Sequence, residues 1–268
     1  DDKIRLLEES GMDHAEATLK GIASFAPECA MMKVLGSDVV DYVADECVQV
    51  LGGMGYSAET RAERSYRDAR INRIFEGTNE INRMLSVGML IKKAMKGHVD
   101  LLGPATAVGE ELMGIPSFDT PDYSVLFAEE KEMIANLKKV FLMVAGSAIQ
   151  KFGPNLEEHQ QLLMAAANIL NEIYMSESTL LRAEKNAKRF GEEAQEVQIA
   201  MAKLYLYNAV EIIIKNGKEG IISFAEGDEQ RMMLMGLKRF TKYTNYPNVV
   251  ALRNKIAEKL NSENKYCF

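Results

Sequence analysis

One carboxylate in this sequence stands where it could act as a catalytic base. Glu76 lies in RIFEGTNEINR, between an apolar run and Gly77, a residue that interrupts regular structure. Thr78 or Asn79 can cap the helix that follows, with Glu80 in its first turn. The exposed N–H groups at such a helix start can hydrogen-bond a developing oxyanion while the carboxylate removes a proton. This is one arrangement that can abstract a proton next to a carbonyl group, although the local sequence alone favours an ordinary capping acid for Glu76.

A glycine pair offers a second candidate contact. Gly52 and Gly53 end a long apolar-periodic segment at QVLGGMGY. A glycine pair after a helix is most simply a C-cap, yet glycines also let a backbone approach a pyrophosphate closely. The local sequence leaves both interpretations open.

Arginines recur at three-residue steps in RAERSYRDARINR, at Arg61, Arg64, Arg67, Arg70 and Arg73. On a helix this spacing gives a slowly drifting stripe of guanidinium groups, which could bind an anion. The alternative is a solvated face on which the arginines pair with Glu59, Glu63 and Asp68, and this is favoured for most of them.

Composition limits the classes to which this chain can belong. Its 268 residues, 47% of them hydrophobic and 26% charged, suffice for one large domain or two small ones with cores. A net charge of -7 argues against a nucleic-acid partner, and no apolar run is expected to be long enough to cross a membrane. The three histidines lack the close spacing of metal ligands on a helix, so no metal is predicted, and the three cysteines are expected to be reduced thiols.

Helical periodicity runs through the whole chain, and Gly, Ser and Pro are confined to a few junctions, so the sequence predicts an all-α protein. A long helix is predicted from Pro27 to the glycine pair, and another from about Asn79 to Lys96. Residues 104–122 are rich in proline and glycine and are predicted to link a first domain, 1–103, to a second.

The second domain, 123–268, is predicted to be an antiparallel helical bundle. It contains a short helical segment after Pro247 and four long ones, at 123–152, 155–190, 192–216 and 227–243. MMLMGLKRFTKY could be a membrane-facing amphipathic stretch, and core packing is the favoured explanation.

ECVQVLGGMGY and YRDARINRIFEGTNEINR, taken with the distance between them, closely resemble the C-terminal helical domain of acyl-CoA dehydrogenases. The resemblance covers about residues 1–98, and IFEGTN is most similar to the very-long-chain enzymes. It implies an FAD-dependent enzyme that forms trans-2-enoyl-CoA from acyl-CoA in fatty-acid beta-oxidation and passes electrons to an electron-transfer flavoprotein. Such an enzyme is expected in a bacterial cytoplasm or, in a eukaryote, in the mitochondrial matrix, and is not expected to be secreted.

The resemblance assigns roles to residues of both motifs. Glu76 matches the base that takes the pro-R alpha proton of the acyl-CoA thioester, and its backbone N–H matches the donor to the thioester carbonyl. Gly77 matches a residue that contacts substrate. The flavin contacts after the base are matched by Thr78, Asn79 and Glu80. The segment that contacts the FAD of the neighbouring subunit is matched by Gln49, Val50, Leu51, Gly52 and Gly53.

The resemblance also implies domains that are not recognised in this sequence. Family members carry an N-terminal helical domain and a middle β-domain ahead of this region, which supply much of the flavin and acyl-CoA sites. Residues 1–10 resemble the end of the helix that precedes the bundle in the family. The chain is therefore expected to be a C-terminal fragment that alone binds no FAD and is inactive. A non-catalytic helical module for assembly or interaction is the alternative.

The second half contains a weaker echo of the glutamate motif. FAEGDEQRMMLMGLKRF, at 224–240, is similar to FEGTNEINRMLSVGMLIKK, at 75–93, either as a degenerate copy of the same bundle or by chance. Glu226 is expected to be a vestige rather than a second base, because the loop before it is shortened to IKNGKEGIIS. The very-long-chain enzymes carry an extra helical domain where a second dimer packs in their relatives, so a homodimer is predicted.

Overall fold

The computed structural model describes residues 1–114 and 121–268. Their secondary structure is helical, and within these two ranges it contains no strand. The prediction of an all-α protein is confirmed. The helices form two compact units, Asp1–Val99 and Asp100–Phe268.

The first unit is built around one long helix. Its α-helices are α1 (Asp2–Glu9), α2 (His14–Ser24), α3 (Ala26–Leu51), α4 (Arg61–Ile71) and α5 (Asn79–Met95). The two long helices predicted in this region are confirmed as α3 and α5. Helix α3 packs against both α4 and α5, and Val34 of α3 and Val87 of α5 are fully buried. Burial of side chains of this size stabilises the unit by about 1.5–3 kcal/mol each.

Local sequence sets both ends of α3. Pro27 lies in its first turn, where a missing backbone N–H costs nothing. Gly52, which follows the last turn, has a φ of 61°, in the left-handed region that favours glycine. A 3₁₀ turn, Gly52–Tyr56, then begins the connection to α4.

The second unit is a bundle of longer helices. They are α6 (Leu102–Met113), α7 (Ala128–Phe152), α8 (Gln160–Phe190), α9 (Glu196–Phe224), α10 (Gly227–Phe240) and α11 (Val249–Glu263). Helix α9 packs along α8 and also contacts α7, α10 and α11. Leu137 of α7, Ile169 of α8 and Ile213 of α9 are fully buried, so the core lies between these three helices.

Helix α9 continues past its predicted end. The helix was predicted to end at Asn216 and IKNGKEGIIS to be a loop, whereas α9 contains the whole segment. Its glycines are sites of close packing rather than of turning. A Cβ at Gly217 would lie 2.9 Å from Leu237 Cδ1, and a Cβ at Gly220 would lie 3.0 Å from Val144 Cγ1.

The helical segment Glu193–Phe224, which includes α9, has the length and the apolar composition of a helix that could cross a membrane. The expectation that no apolar run reaches this length is therefore wrong. Helix α9 packs against four other helices of the second unit, and this packing accounts for its many apolar residues.

Helix α6 overlaps the first part of the predicted linker. The predicted linker was 104–122, of which residues 115–120 lie outside the described part of the chain. Helix α6 packs against α7 and α10, with Val108 buried. Gly146 of α7 makes room for Ala105, because a Cβ on Gly146 would lie 2.5 Å from Ala105 Cβ. This packing outweighs the weak helix propensity of a proline- and glycine-rich stretch.

Candidate functional site

The loop between α4 and α5 holds Glu76 in an unusual backbone conformation. Glu76 has a φ of 55° and Gly77 a φ of 82°, so both lie in the left-handed region. That region is unfavourable for a residue with a Cβ, and residues strained in this way cluster at functional sites. Glu76 is exposed, and within the described residues its backbone N–H donates to no acceptor. A carboxylate and a hydrogen-bond donor of one residue are therefore both available at this loop.

Two side chains bind the carbonyl groups of the loop. Lys33 Nζ of α3 donates to Gly77 O at 2.7 Å. Asn82 Nδ2 of α5 donates to Gly77 O at 2.8 Å and to Thr78 O at 3.2 Å, and lies 3.5 Å from Glu76 O. A Cβ on Gly77 would lie 2.8 Å from Asn82 Nδ2, so a glycine is needed at this position. The loop thus turns its carbonyl oxygens towards donors on α3 and α5.

The start of α5 is capped by one of the two predicted residues. Thr78 is the N-cap, and its Oγ1 accepts from the Ile81 N–H at 3.3 Å. Glu80 lies in the first turn, where a hydrogen bond from its own backbone N–H and a second from the Thr78 hydroxyl lower the pKa of its carboxyl. The positive charges of Arg83 and Arg73 lower this pKa further. Glu80 is therefore a stabilised carboxylate, as expected beside a helix N-terminus.

The side chain of Asn79, a predicted flavin contact, is used by the fold itself. Asn79 is 1% exposed, and its Oδ1 accepts from Lys33 Nζ at 2.7 Å and from Ser37 Oγ at 3.0 Å. Its Nδ2 donates to Asp38 Oδ1 at 2.8 Å. A contact between Asn79 and a ligand would therefore have to use its backbone.

An ion-pair network beside the loop was missed by the sequence analysis. Asp38 of α3 pairs with Arg73 at 3.1 Å and with Arg83 at 2.7 Å, and Asp41 pairs with Arg73 at 2.9 Å. Arg73 precedes Glu76 and Arg83 follows it, so the network ties both sides of the loop to α3. Charged groups held in a network of this kind restrain one another more than an isolated surface pair does.

The other arginines of the motif have a different environment. Within residues 1–114 and 121–268, four exposed arginines of α4 form no ion pair: Arg61, Arg64, Arg67 and Arg70. Their expected pairing with Glu59, Glu63 and Asp68 is wrong. An exposed ion pair gains little over two solvated charges and restricts two long side chains, which explains the difference.

The predicted FAD segment lies at the far end of α3. Its exposed residues close α3 and begin the turn after it: Gln49, Val50, Leu51, Gly52 and Gly53. A Cβ on Gly53 would meet no atom within 4 Å, so packing inside the unit does not require a glycine there. At about 1.5 Å per residue, this segment is roughly 25 Å along α3 from Lys33, which binds the Glu76 loop. The two groups of predicted cofactor contacts therefore lie along different parts of α3.

Glu226 does not occupy a position equivalent to that of Glu76. Glu226 is itself the N-cap of α10 and has a φ of -134°, whereas Glu76 precedes the N-cap Thr78 and is left-handed. The echo of the glutamate motif in the second unit therefore does not reproduce the loop.

Metal-ligating groups are also dispersed. No cluster of three or more His, Cys, Asp or Glu side chains that could hold a metal ion occurs in the part of the chain that the structure describes. Around the Glu76 loop, the carboxylates of Asp38, Asp41 and Glu80 are accompanied by amides, hydroxyls, guanidinium groups and one ammonium group.

Parts of both helical units match models of known protein families. Two family models with the description "Acyl-CoA dehydrogenase, C-terminal domain" match the chain, one over residues 3–89 and the other over residues 136–239. The chain belongs to the acyl-CoA dehydrogenase family. The similarity extends beyond the predicted residues 1–98, because the second unit is matched as well.

Curated relatives match this chain over different lengths. A probable acyl-CoA dehydrogenase of Bacillus subtilis is 39% identical over 92% of this chain and 41% of its own length. The rat mitochondrial very-long-chain-specific enzyme is 26% identical over 83% of this chain and 36% of its own length. The human mitochondrial short-chain-specific enzyme is 47% identical, but over only 25% of this chain and 16% of its own length. The very-long-chain relative therefore matches both units, as the sequence analysis expected of that type.

A solved structure agrees with the fold. The crystal structure of an acyl-CoA dehydrogenase from Bacillus anthracis, complexed with FAD, superposes with a TM-score of 0.93 at 40% identity over 100% of this chain. This chain covers 45% of the Bacillus anthracis chain and 41% of the Bacillus subtilis protein, so it spans less than half the length of these relatives.

Proposed function

We propose that this chain supplies the C-terminal helical units of an FAD-dependent acyl-CoA dehydrogenase that forms trans-2-enoyl-CoA from acyl-CoA in fatty-acid beta-oxidation. The observation that carries the proposal is the loop at Glu76, where an exposed carboxylate and an unused N–H occur together beside a helix N-terminus. Membership of the family and the FAD complex of the Bacillus anthracis relative support it.

Glu76 is the base of the proposed reaction. Its carboxylate removes the alpha proton of the acyl thioester, and its backbone N–H hydrogen-bonds the thioester oxygen, on which negative charge develops. Ile74 and Phe75, both about half exposed, precede it in the loop and provide apolar surface for the acyl chain. Exclusion of water by such a chain would make the carboxylate more basic.

FAD would supply the acceptor for the hydride that leaves the beta carbon. The residues present fit such a group, because the backbone at Gly53 is open and its glycine is not required by packing. Gln49 to Gly53 would hold the FAD of a neighbouring copy, and Thr78, Glu80 and the backbone of Asn79 would contact the flavin beside Glu76.

Two copies of the chain are needed for this arrangement. The rise of roughly 25 Å along α3 from Lys33, which binds the Glu76 loop, to the segment 49–53 favours a cofactor shared between subunits, and thus a homodimer. The substrate is an acyl-CoA, and an electron-transfer flavoprotein reoxidises the enzyme. The proposed compartment is the bacterial cytoplasm or the mitochondrial matrix.

A helical module for assembly alone is the second candidate. Exposed apolar side chains on α3, among them Val39, Val40 and Val43, would suit such a role. The substitution Glu76→Gln separates the two functions, because it should stop flavin reduction by acyl-CoA and leave assembly unchanged.

A further inference from the structure

Lys33 lies where it can control the conformation of the Glu76 loop. It is half-buried on α3, and its Nζ donates to Gly77 O and to Asn79 Oδ1, both at 2.7 Å. An ammonium group has three protons to donate, and groups at the loop and the helix start receive two of them. Among the described residues Lys33 pairs with no carboxylate, so its positive charge is directed at neutral oxygen atoms of this region.

The bond to Gly77 O acts on the least favourable part of the backbone. Glu76 and Gly77 are both left-handed, and a residue with a Cβ leaves this region unless its neighbours prevent it. Rotation of the peptide groups towards extended or right-handed backbone would move the Gly77 carbonyl away from Lys33 and Asn82. Lys33 therefore opposes the relaxation of the loop.

The bond to Asn79 fixes the other end of the same short segment. Asn79 is the first residue of α5, and its side chain also binds Ser37 and Asp38. Lys33 thus joins α3 to the backbone immediately after Glu76 and to the start of α5. On the N-terminal side of Glu76 the corresponding restraint is the pairing of Arg73 with Asp38.

We propose that Lys33 is a positioning residue for the base. Its ammonium group holds the Gly77 carbonyl and thereby keeps the Glu76 carboxylate and N–H in the geometry that the acyl thioester requires. The inference rests on the proposed function of Glu76 and adds a residue that acts through the loop rather than on substrate. A base displaced by a fraction of an ångström reacts much more slowly, while substrate binding, which depends on many other contacts, changes less.

Lys33→Met tests this role, because it removes the donor and keeps most of the apolar stem. In the protein at its full encoded length, palmitoyl-CoA and butyryl-CoA serve as probes in anaerobic stopped-flow measurements of flavin reduction. The limiting rate is expected to fall about 10-fold to 100-fold, while the dissociation constant of the acyl-CoA changes less than about 3-fold. Lys33→Arg keeps the charge and the donors and is expected to recover most of the rate.

Lys93→Met is the matched control. Lys93 Nζ donates to the backbone oxygen of Ser24 at 2.7 Å, so it is another half-buried lysine of the same unit that holds a carbonyl group. Its removal is expected to change stability by a similar amount and the rate of flavin reduction less than about 2-fold. Equal rate losses in the two methionine variants would mean that Lys33 acts only through stability and would overturn the positioning role.

Hydrogen exchange of the chain gives a readout that needs neither flavin nor substrate. In Lys33→Met, the hydrogen-bonded amides of Ile74, Phe75 and Asn79 should exchange at least about 10-fold faster than in the unsubstituted chain, and in Lys93→Met they should not. Unchanged exchange in Lys33→Met would contradict the role in holding the loop.

The two proposals fail in distinguishable ways. If Glu76→Gln stops flavin reduction while Lys33→Met does not slow it, the base assignment stands and the positioning role is wrong. If Glu76→Gln reduces flavin at a near-normal rate, the proposed function fails and the catalytic role of Lys33 fails with it.

Discussion

Three carboxylates close to the Glu76 loop already have partners. Asp38 and Asp41 pair with arginines at 2.7–3.1 Å, and Glu80 is stabilised by hydrogen bonds at the start of α5. Stabilisation of its charged form makes the Glu80 carboxylate a weaker base. Glu76 has no ion pair among the described residues and is exposed. At the scale of single residues, these surroundings distinguish the proposed base from its acidic neighbours.

Gly77→Ala tests the backbone of the loop. A Cβ would strain the left-handed φ of 82° and approach Asn82 Nδ2 to 2.8 Å, so we expect the first unit to lose about 1–2 kcal/mol of unfolding free energy. Urea denaturation of the chain measures this loss. Gly36→Ala is the control, because Gly36 lies inside α3 with no atom within 4 Å of an added Cβ, and alanine there should leave stability equal or raised by about 0.5–1 kcal/mol. Equal effects of the two substitutions would show that the loop does not need its glycine.

At the scale of helices, α3 is the frame that carries the loop. Lys33, Ser37 and Asp41 recur at four-residue steps, which places them on one side of the helix. Lys33 and Ser37 bind Asn79, and Asp41 pairs with Arg73. Polar residues at four-residue steps along this helix are the sequence signal from which this support could have been predicted.

The contribution of an inter-helix ion pair in the second unit depends on pH. Glu184 of α8 is 13% exposed, and hydrogen bonds from Lys131 of α7 and Lys188 lower the pKa of its carboxyl from the usual 4.5. The stability that these bonds add is therefore present above pH 4.5 and is lost as the pH falls through the lowered pKa. Glu184→Gln should cost about 1 kcal/mol at neutral pH and progressively less in acid, as measured by urea denaturation across this range.

Glu177→Gln is the matched control for this pH dependence. Glu177 joins the same two helices through Lys138 at 2.6 Å, but its side chain is 40% exposed. An exposed pair is worth little, so this substitution should cost less than about 0.5 kcal/mol at neutral pH. A cost of Glu184→Gln that did not shrink in acid would refute the assigned origin of the stability.

The sequence predicted this fold to the extent that local signals decide it. Pro27 and the glycine pair bound α3 correctly, and the EGTN stretch gave the start of α5. Side-chain partners were not predictable in this way, because Lys33 and Gly77 are distant in the chain and meet only through tertiary packing. The loop predicted around Gly217 and Gly220 was wrong for the same reason. Within α9 these glycines allow close contact with other helices, which no local pattern reveals.

At the scale of the whole molecule, the positions of the two groups of predicted cofactor contacts bear on how many copies of the chain form one FAD site. The Glu76 loop binds α3 at Lys33, and Gly53 follows the opposite end of that helix. If each FAD contacts the Glu76 loop of one copy and the glycine pair of the other, a dimer has two FAD sites, and residues of both copies form each site.

A heterodimer of two inactive variants tests this sharing. Glu76→Gln removes the base, and Gly53→Asp places a bulky anion where the backbone would approach a pyrophosphate, so each homodimer should be inactive at both sites. In a heterodimer purified by two different tags, one site combines the intact Glu76 with the intact Gly53. It should reduce about half as much flavin per dimer as the unsubstituted enzyme. A heterodimer without activity would place both contact groups in the site of a single copy.

The central claim, that Glu76 is the catalytic base, is tested most directly by Glu76→Gln in the protein at its full encoded length. Glutamine preserves the shape and the hydrogen bonds of the side chain but cannot accept the proton. In anaerobic stopped-flow experiments, bleaching of the flavin absorbance by acyl-CoA should slow by at least about 10³-fold, with acyl-CoA affinity little changed. Glu226→Gln should bleach at a near-normal rate. Near-normal bleaching in Glu76→Gln, or a stall in Glu226→Gln, would contradict the account.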